Sequence, residues 1–217
     1  MSDRNNYLLE EKNELSKVWP DNRAYHIVCH GHSIPCGYTA AHMIRPFDAY
    51  PHLLHRTLND RFPTAVINVI TTAVGGENSE AGAKRFSEEV LCHRPDLITI
   101  DYGRNDMYLD LEASEKALRS MIEKGIAYGS KIILITPAPD CKRTYYNSRK
   151  TEDIQLSEMI RALAEEYQIG LVDAADLFHN KLTNGEMLST YLVSVNHLTR
   201  KGHSLIAEAI ADWFPFI

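Results

Sequence analysis

Short apolar, β-branched runs alternate with stretches of helical length along most of this chain, and few folds accept that order. The runs are Ala24–Cys29, Ala65–Ile70, Leu97–Ile100, Lys131–Ile135 and Gly170–Val172. Between and after them lie Asp48–Arg61, Ser79–Cys92, Glu112–Tyr128, Thr151–Tyr167 and Thr199–Trp213. Leu53, Leu54 and Leu58 have helical spacing before Pro63, Phe86 and Val90 stand four apart, and Thr199 suits a helix N-cap. Strands separated by whole helices form a parallel sheet, because parallel neighbours cannot be joined by a tight turn. Right-handed crossovers then place helices on both faces, which predicts a three-layer α/β/α sandwich. The continuous run Ala65–Ile70 reads as a central strand.

No repeat, low-complexity tract or linker interrupts the pattern, so residues 1–217 read as one domain. A net charge of -6 argues against a general nucleic-acid binder, which carries a basic surplus. No stretch approaches the ~20 uninterrupted apolar residues of a membrane span, and Met1–Lys17 has no signal-peptide core. Cys29, Cys36, Cys92 and Cys141 lack CxxC pairing and read as reduced thiols of a cytoplasmic protein.

Three glycine-bearing turns follow predicted strands: Gly31-His32-Ser33, Gly75-Gly76-Glu77-Asn78-Ser79 and Gly103-Arg104-Asn105-Asp106. Ligands of such sheets bind beyond the carboxyl ends of the strands, so these turns can share one cleft. With Asn196-His197 near the end, they supply what acyl transfer needs: a hydroxyl nucleophile, an imidazole base and oxyanion donors. Each also has a plain reading. Ser33 can cap a turn, Gly75-Gly76 can serve a positive φ, and Asn105 can cap the next segment. Asp106 and His203 read as structural, and Cys36 as a small buried hydrophobe rather than a rival nucleophile. A metal reading pairs His30 with His32, adding Asp101, Asp106 or His197. It leaves Gly76 and Asn105 without work.

The ordered set resembles the SGNH hydrolases, which include the GDSL esterases and lipases. The resemblance runs from residue 27 to 210 and maps nucleophile to Ser33, oxyanion donors to Ser33, Gly76 and Asn105, and base to His197. It implies a flavodoxin-like five-stranded parallel sheet of order 2-1-3-4-5, and an esterase that needs no cofactor and no metal. Two positions depart from the family pattern. His32 replaces the aspartate before the serine, and Ser194 stands where an acid normally precedes the histidine by three residues. The expectation is a Ser33–His197 dyad, or an acid supplied by Asp173, Asp176 or Glu186.

The expected partner is a small-molecule acyl ester. Tyr38, Met43 and Phe47 follow the nucleophile and can wall an acyl pocket. Asp140–Lys150, with Lys142, Arg143, Tyr145, Tyr146 and Arg149, suits a polar leaving group such as a sugar, or is simply a solvated loop. No leucine-rich lid insertion is present, which favours short acyl groups such as O-acetyl on a carbohydrate. A lysophospholipase, a thioesterase and a non-catalytic ligand-binding relative stay open as alternatives.

Overall fold

Parallel β1 (Ala24–Gly31), β2 (Val66–Thr71), β3 (Leu97–Asp101), β4 (Lys131–Ile135) and β5 (Gly170–Val172) form one sheet. Their order is β2-β1-β3-β4-β5, with every neighbouring pair parallel. The computed structural model describes residues 2–40, 43–141 and 151–214. Its helices are α1 (Leu9–Leu15), α2 (Ser33–Cys36), α3 (Tyr50–Arg61), α4 (Ser79–Glu89), α5 (Leu111–Tyr128), α6 (Thr151–Glu166), α7 (Ala174–Thr183) and α8 (Arg200–Ala211).

Strand side chains alternate between faces, and the core divides accordingly. Ile27, Leu97, Ile133 and Ile135 pack with Leu15 of α1, Leu54 of α3, Phe178 of α7 and Ile206 of α8. Val28, Ile98, Ile100 and Leu134 pack with Phe86 of α4, Leu118 of α5 and Leu163 of α6. Each fully buried leucine or isoleucine contributes roughly 1.5–3 kcal/mol, so the strands that carry the site form a stiff floor.

The sequence reading departs from the structure at four places. Ala65–Ile70 is no central strand: β2 lies at the sheet edge beside β1 alone, and Val66 is 51% exposed. The helix expected over Ser79–Cys92 ends at Glu89 and gives way to a 3-10 turn over Leu91–His93. The short helices α1 and α7 had no counterpart in the periodicity. By contrast, Thr199 does cap α8, accepting the Gly202 N–H at 3.2 Å.

Candidate active site

Every strand of a parallel sheet ends at the same edge, and the motif residues gather there. Strand β1 runs into His32, and Ser33 opens the one-turn helix α2. Ser33 Oγ lies 3.1 Å from His197 Nε2, although 164 residues separate them. His197 is presented by a tight reversal in which Leu192 and Leu198 form an antiparallel bridge and Val193 N–H reaches the His197 carbonyl at 2.9 Å. Across the imidazole, Ser194 Oγ lies 3.2 Å from Nδ1. A ring that accepts the Ser33 proton at Nε2 carries its own hydrogen on Nδ1, so Ser194 receives it.

The acids expected as substitutes serve other partners. Asp173 holds Arg161 through contacts of 2.6 and 3.0 Å and caps α7. Asp176 accepts Asn180 Nδ2 at 3.0 Å. Glu186 accepts the Tyr191 hydroxyl and lies 3.3 Å from Lys201 Nζ. Ser194, read in sequence only as a gap in the pattern, faces the imidazole instead.

The loop after β2 runs beside the nucleophile turn, with Val74 N–H donating to the Gly31 carbonyl at 3.0 Å. Gly76 has φ +80, a backbone setting that a side chain would strain. Asn105 Nδ2 donates to the Glu77 carbonyl at 2.8 Å, which ties the second and third motifs together. One amide hydrogen is engaged there and the second is left to point elsewhere. Asp106 has the structural role expected of it: its carboxylate takes the Ser79 N–H at 2.8 Å and the Ser114 hydroxyl at 2.6 Å. It thereby holds the start of α4, where a negative charge is favoured. The Tyr38 ring lies 6.0 Å from that of His197 and against Gly75. Arg143 and Tyr145 lie outside the described residues.

The two histidines of His30-Gly31-His32 do not converge on a common point. His30 is buried, with Nδ1 3.0 Å from Thr72 Oγ1 and Nε2 3.2 Å from the Tyr102 hydroxyl. His32 Nδ1 accepts the Ile34 N–H at 3.3 Å, so its hydrogen is on Nε2, which faces Asp101 Oδ1 at 3.5 Å. Burial, followed by the Arg104 and His197 charges, pushes the His32 pKa down to about 3. Among the described residues no group of three or more His, Cys, Asp or Glu is arranged to hold a metal ion. Cys36 is a poor nucleophile here, since burial pushes its thiol up to about 11. His203 Nδ1 accepts the Tyr50 N–H at 3.3 Å, joining α8 to α3.

Residues 29–205 match the GDSL-like lipase/acylhydrolase family. The chain belongs to that family. It is an ester hydrolase of the SGNH type. Among solved structures, the acetylxylan esterase Axe2 of Geobacillus stearothermophilus superimposes with a TM-score of 0.75 at 21% identity. That match covers 89% of this chain and 95% of Axe2. A lipase/acylhydrolase of Enterococcus faecalis gives 0.71 at 23% identity, covering 86% of this chain and 93% of its own. In sequence, the uncharacterized lipoprotein YqeF of Bacillus subtilis (strain 168) is 22% identical over 177 residues, 67% of this chain and 73% of YqeF. At such identities the solved structures speak for the shared sheet order and helical layers. No helix among the described residues is long and apolar enough to cross a membrane.

Proposed function

We propose that this GDSL-family hydrolase cleaves short-chain acyl esters, with O-acetyl groups on a carbohydrate as its substrate class, through an acyl-Ser33 intermediate. The observation that carries the reading is the 3.1 Å contact between Ser33 Oγ and His197 Nε2. His197 Nε2 takes the Ser33 proton as Oγ bonds to the ester carbonyl carbon. The tetrahedral oxyanion is met by the N–H groups of Ser33 and Gly76 and by Asn105 Nδ2. The carbon–alkoxide bond then breaks, the alcohol leaves with the proton from His197, and the acyl group stays on Ser33. Water, deprotonated by His197, releases the acid and restores the hydroxyl. Ser194 holds the tautomer by accepting the Nδ1 hydrogen, and no cofactor enters any step.

Tyr38, between Gly75 and His197, walls the acyl side and favours small acyl groups. Arg143 and Tyr145 are read as contacts for a polar leaving group. Similarity to Axe2, described as an acetylxylan esterase, supports the choice of acetyl and sugar. Two solved forms of Axe2 are described as catalytic mutants, one at a serine and one at a histidine. We also read residues 1–217 as a single domain working in the cytoplasm, in keeping with its four free thiols.

An aryl fluorophosphonate should label one residue, Ser33, by peptide mass spectrometry. p-Nitrophenyl acetate and acetylated xylo-oligosaccharides should be cleaved faster than octanoate or longer esters. A label on another residue, or a preference for long chains, would overturn the proposal. Asn105→Ala should lower kcat about a hundredfold and leave KM within about twofold, because its contact strengthens only as charge develops on oxygen. An unchanged kcat would remove Asn105 from the oxyanion site.

A further inference from the structure

The chemistry proposed above leaves a directed set of partly buried polar contacts next to the Gly76 loop without a role. Glu77 joins Gly76 to Asn78, the residue that caps α4 by accepting the Ala81 N–H at 3.0 Å. Its carboxylate receives Arg85 Nε at 2.8 Å and Nη2 at 2.6 Å, a two-pronged contact from α4. The Tyr102 hydroxyl donates to the same carboxylate at 2.6 Å. Tyr102 has one hydroxyl hydrogen, so its oxygen faces His30 Nε2 at 3.2 Å as an acceptor. His30 Nε2 must therefore carry the hydrogen, which also suits the Gly82 carbonyl 3.3 Å away. Nδ1 is then bare and accepts from Thr72 Oγ1 at 3.0 Å.

Every donor in this set has a matching acceptor, and the chain of bonds runs one way, from Thr72 through His30 and Tyr102 to Glu77. It ties the ends of β2, β1 and β3 to α4. The packing is close: a Cβ on Gly82 of α4 would fall 2.1 Å from the Tyr102 hydroxyl oxygen. Burial alone would raise the Glu77 carboxyl, and the Arg85 and Tyr102 hydrogen bonds outweigh it and hold it below the ordinary glutamate value. The Glu77 main chain meets the site directly, because its carbonyl receives Asn105 Nδ2 at 2.8 Å. Tyr102 is also three residues before Asn105, on the same turn.

We propose that Glu77, clamped by Arg85 and Tyr102, is a positioning residue that sets the spacing between the Gly76 N–H and Asn105 Nδ2. This rests on the reading of those groups as oxyanion donors. A loop with Gly75 and Gly76 side by side, the second at φ +80, has little stiffness of its own. An oxyanion site works only if its donors are fixed before charge develops. The Glu77 side chain anchors the loop from behind, and its carbonyl orients the Asn105 amide from the front.

The test is a double-mutant cycle with Glu77→Gln, Tyr102→Phe and Asn105→Ala, every rate normalised to the fraction of Ser33 that a fluorophosphonate titrates. Glu77→Gln should lower kcat about tenfold with KM within about twofold, and slow Ser33 phosphonylation, whose tetrahedral product sits in the same site, by a similar factor. Because Glu77 acts on the spacing between the two donors, the same change should cost less once one of them is gone, about threefold in an Asn105→Ala background. Equal losses in both backgrounds, or an unchanged kcat and phosphonylation rate, would overturn the inference. Should Glu77→Gln fail to fold, Tyr102→Phe removes the 2.6 Å contact to Glu77 together with the 3.2 Å contact to His30, leaves both Arg85 contacts to Glu77 in place, and carries the same comparison. Hydrolysis surviving Ser33→Ala would sink the esterase reading itself. A dead Ser33→Ala beside an unaffected Glu77→Gln would sink this inference alone.

Discussion

Ser33→Ala is expected to lower kcat/KM for aryl acetates by about 10⁴-fold or more, with the folded structure retained. The hydroxyl is the atom that becomes acylated, so no neighbouring group can replace it by adjusting its position. His197→Ala should fall to a similar floor, because the two residues form one unit and removing either stops the same step. The double variant should therefore be no worse than either single one. The fold should tolerate both changes. Ser33 opens a four-residue helix whose first turn is capped by His32, and His197 lies in a loop rather than in the core. The check is a chromogenic acetate assay of the three variants beside thermal melting. Losses that add in the double variant would mean that the two residues act independently, and the contact between them would then have no catalytic meaning.

How much of this was legible in the sequence depends on what each residue needs in order to be recognised. The parallel sheet and its layers follow from a pattern that is local, apolar runs of strand length each followed by a helix, whereas the strand order came only from the family resemblance. Ser33, Asn105 and the Gly75-Gly76 turn stood out because acyl transfer demands those residue types beyond strand ends, while the choice of Gly76 over Gly75 rested on the family resemblance and His197 on its place in the loop before the last helix. The clamp behind them was invisible. Glu77, Arg85, Tyr102 and His30 are ordinary residue types, and their meeting depends on β1, β3 and α4 packing together. His30 and His32 looked like one metal-binding motif because they are two apart. The structure gives His30 to the Tyr102 hydroxyl and His32 to the Ile34 N–H. Helix α7 was missed although Asp173 caps it, since Asp173 had been weighed as a triad acid and not as a helix start. Edge position, which separates β2 from a central strand, is a tertiary fact that a β-branched run does not encode.

A second large effect is expected on stability in mild acid. His30, His32 and His203 are buried, and burial first of all pushes them down to about 4, about 3 and about 4. An unfolded histidine titrates near 6.5. Their contribution is therefore present above that value and is lost as pH falls, because the unfolded chain takes up protons that the folded one refuses. Between pH 7 and pH 5 each costs about 2 kcal/mol. Asp101 runs the other way. Burial pushes its carboxyl up to about 7, against 3.8 in the open chain, so it favours the fold while protonated and opposes it once ionised. Over the same interval it returns about 2 kcal/mol. Three losses against one gain leave the protein less stable at pH 5 than at pH 7, with His32 and Asp101, 3.5 Å apart, taking up protons as a pair rather than singly. Glu77 and Asp173, both held below the ordinary carboxylate range, begin to lose their contribution only at lower pH. Urea unfolding at pH 5, 6, 7 and 8 measures the balance. Asp101→Asn separates its parts: the variant should gain stability over wild type at pH 8, where wild-type Asp101 is forced to ionise, and lose that advantage at pH 5. A stability curve flat from pH 7 to pH 5, or an Asp101→Asn effect independent of pH, would show that these buried groups keep ordinary affinities for protons.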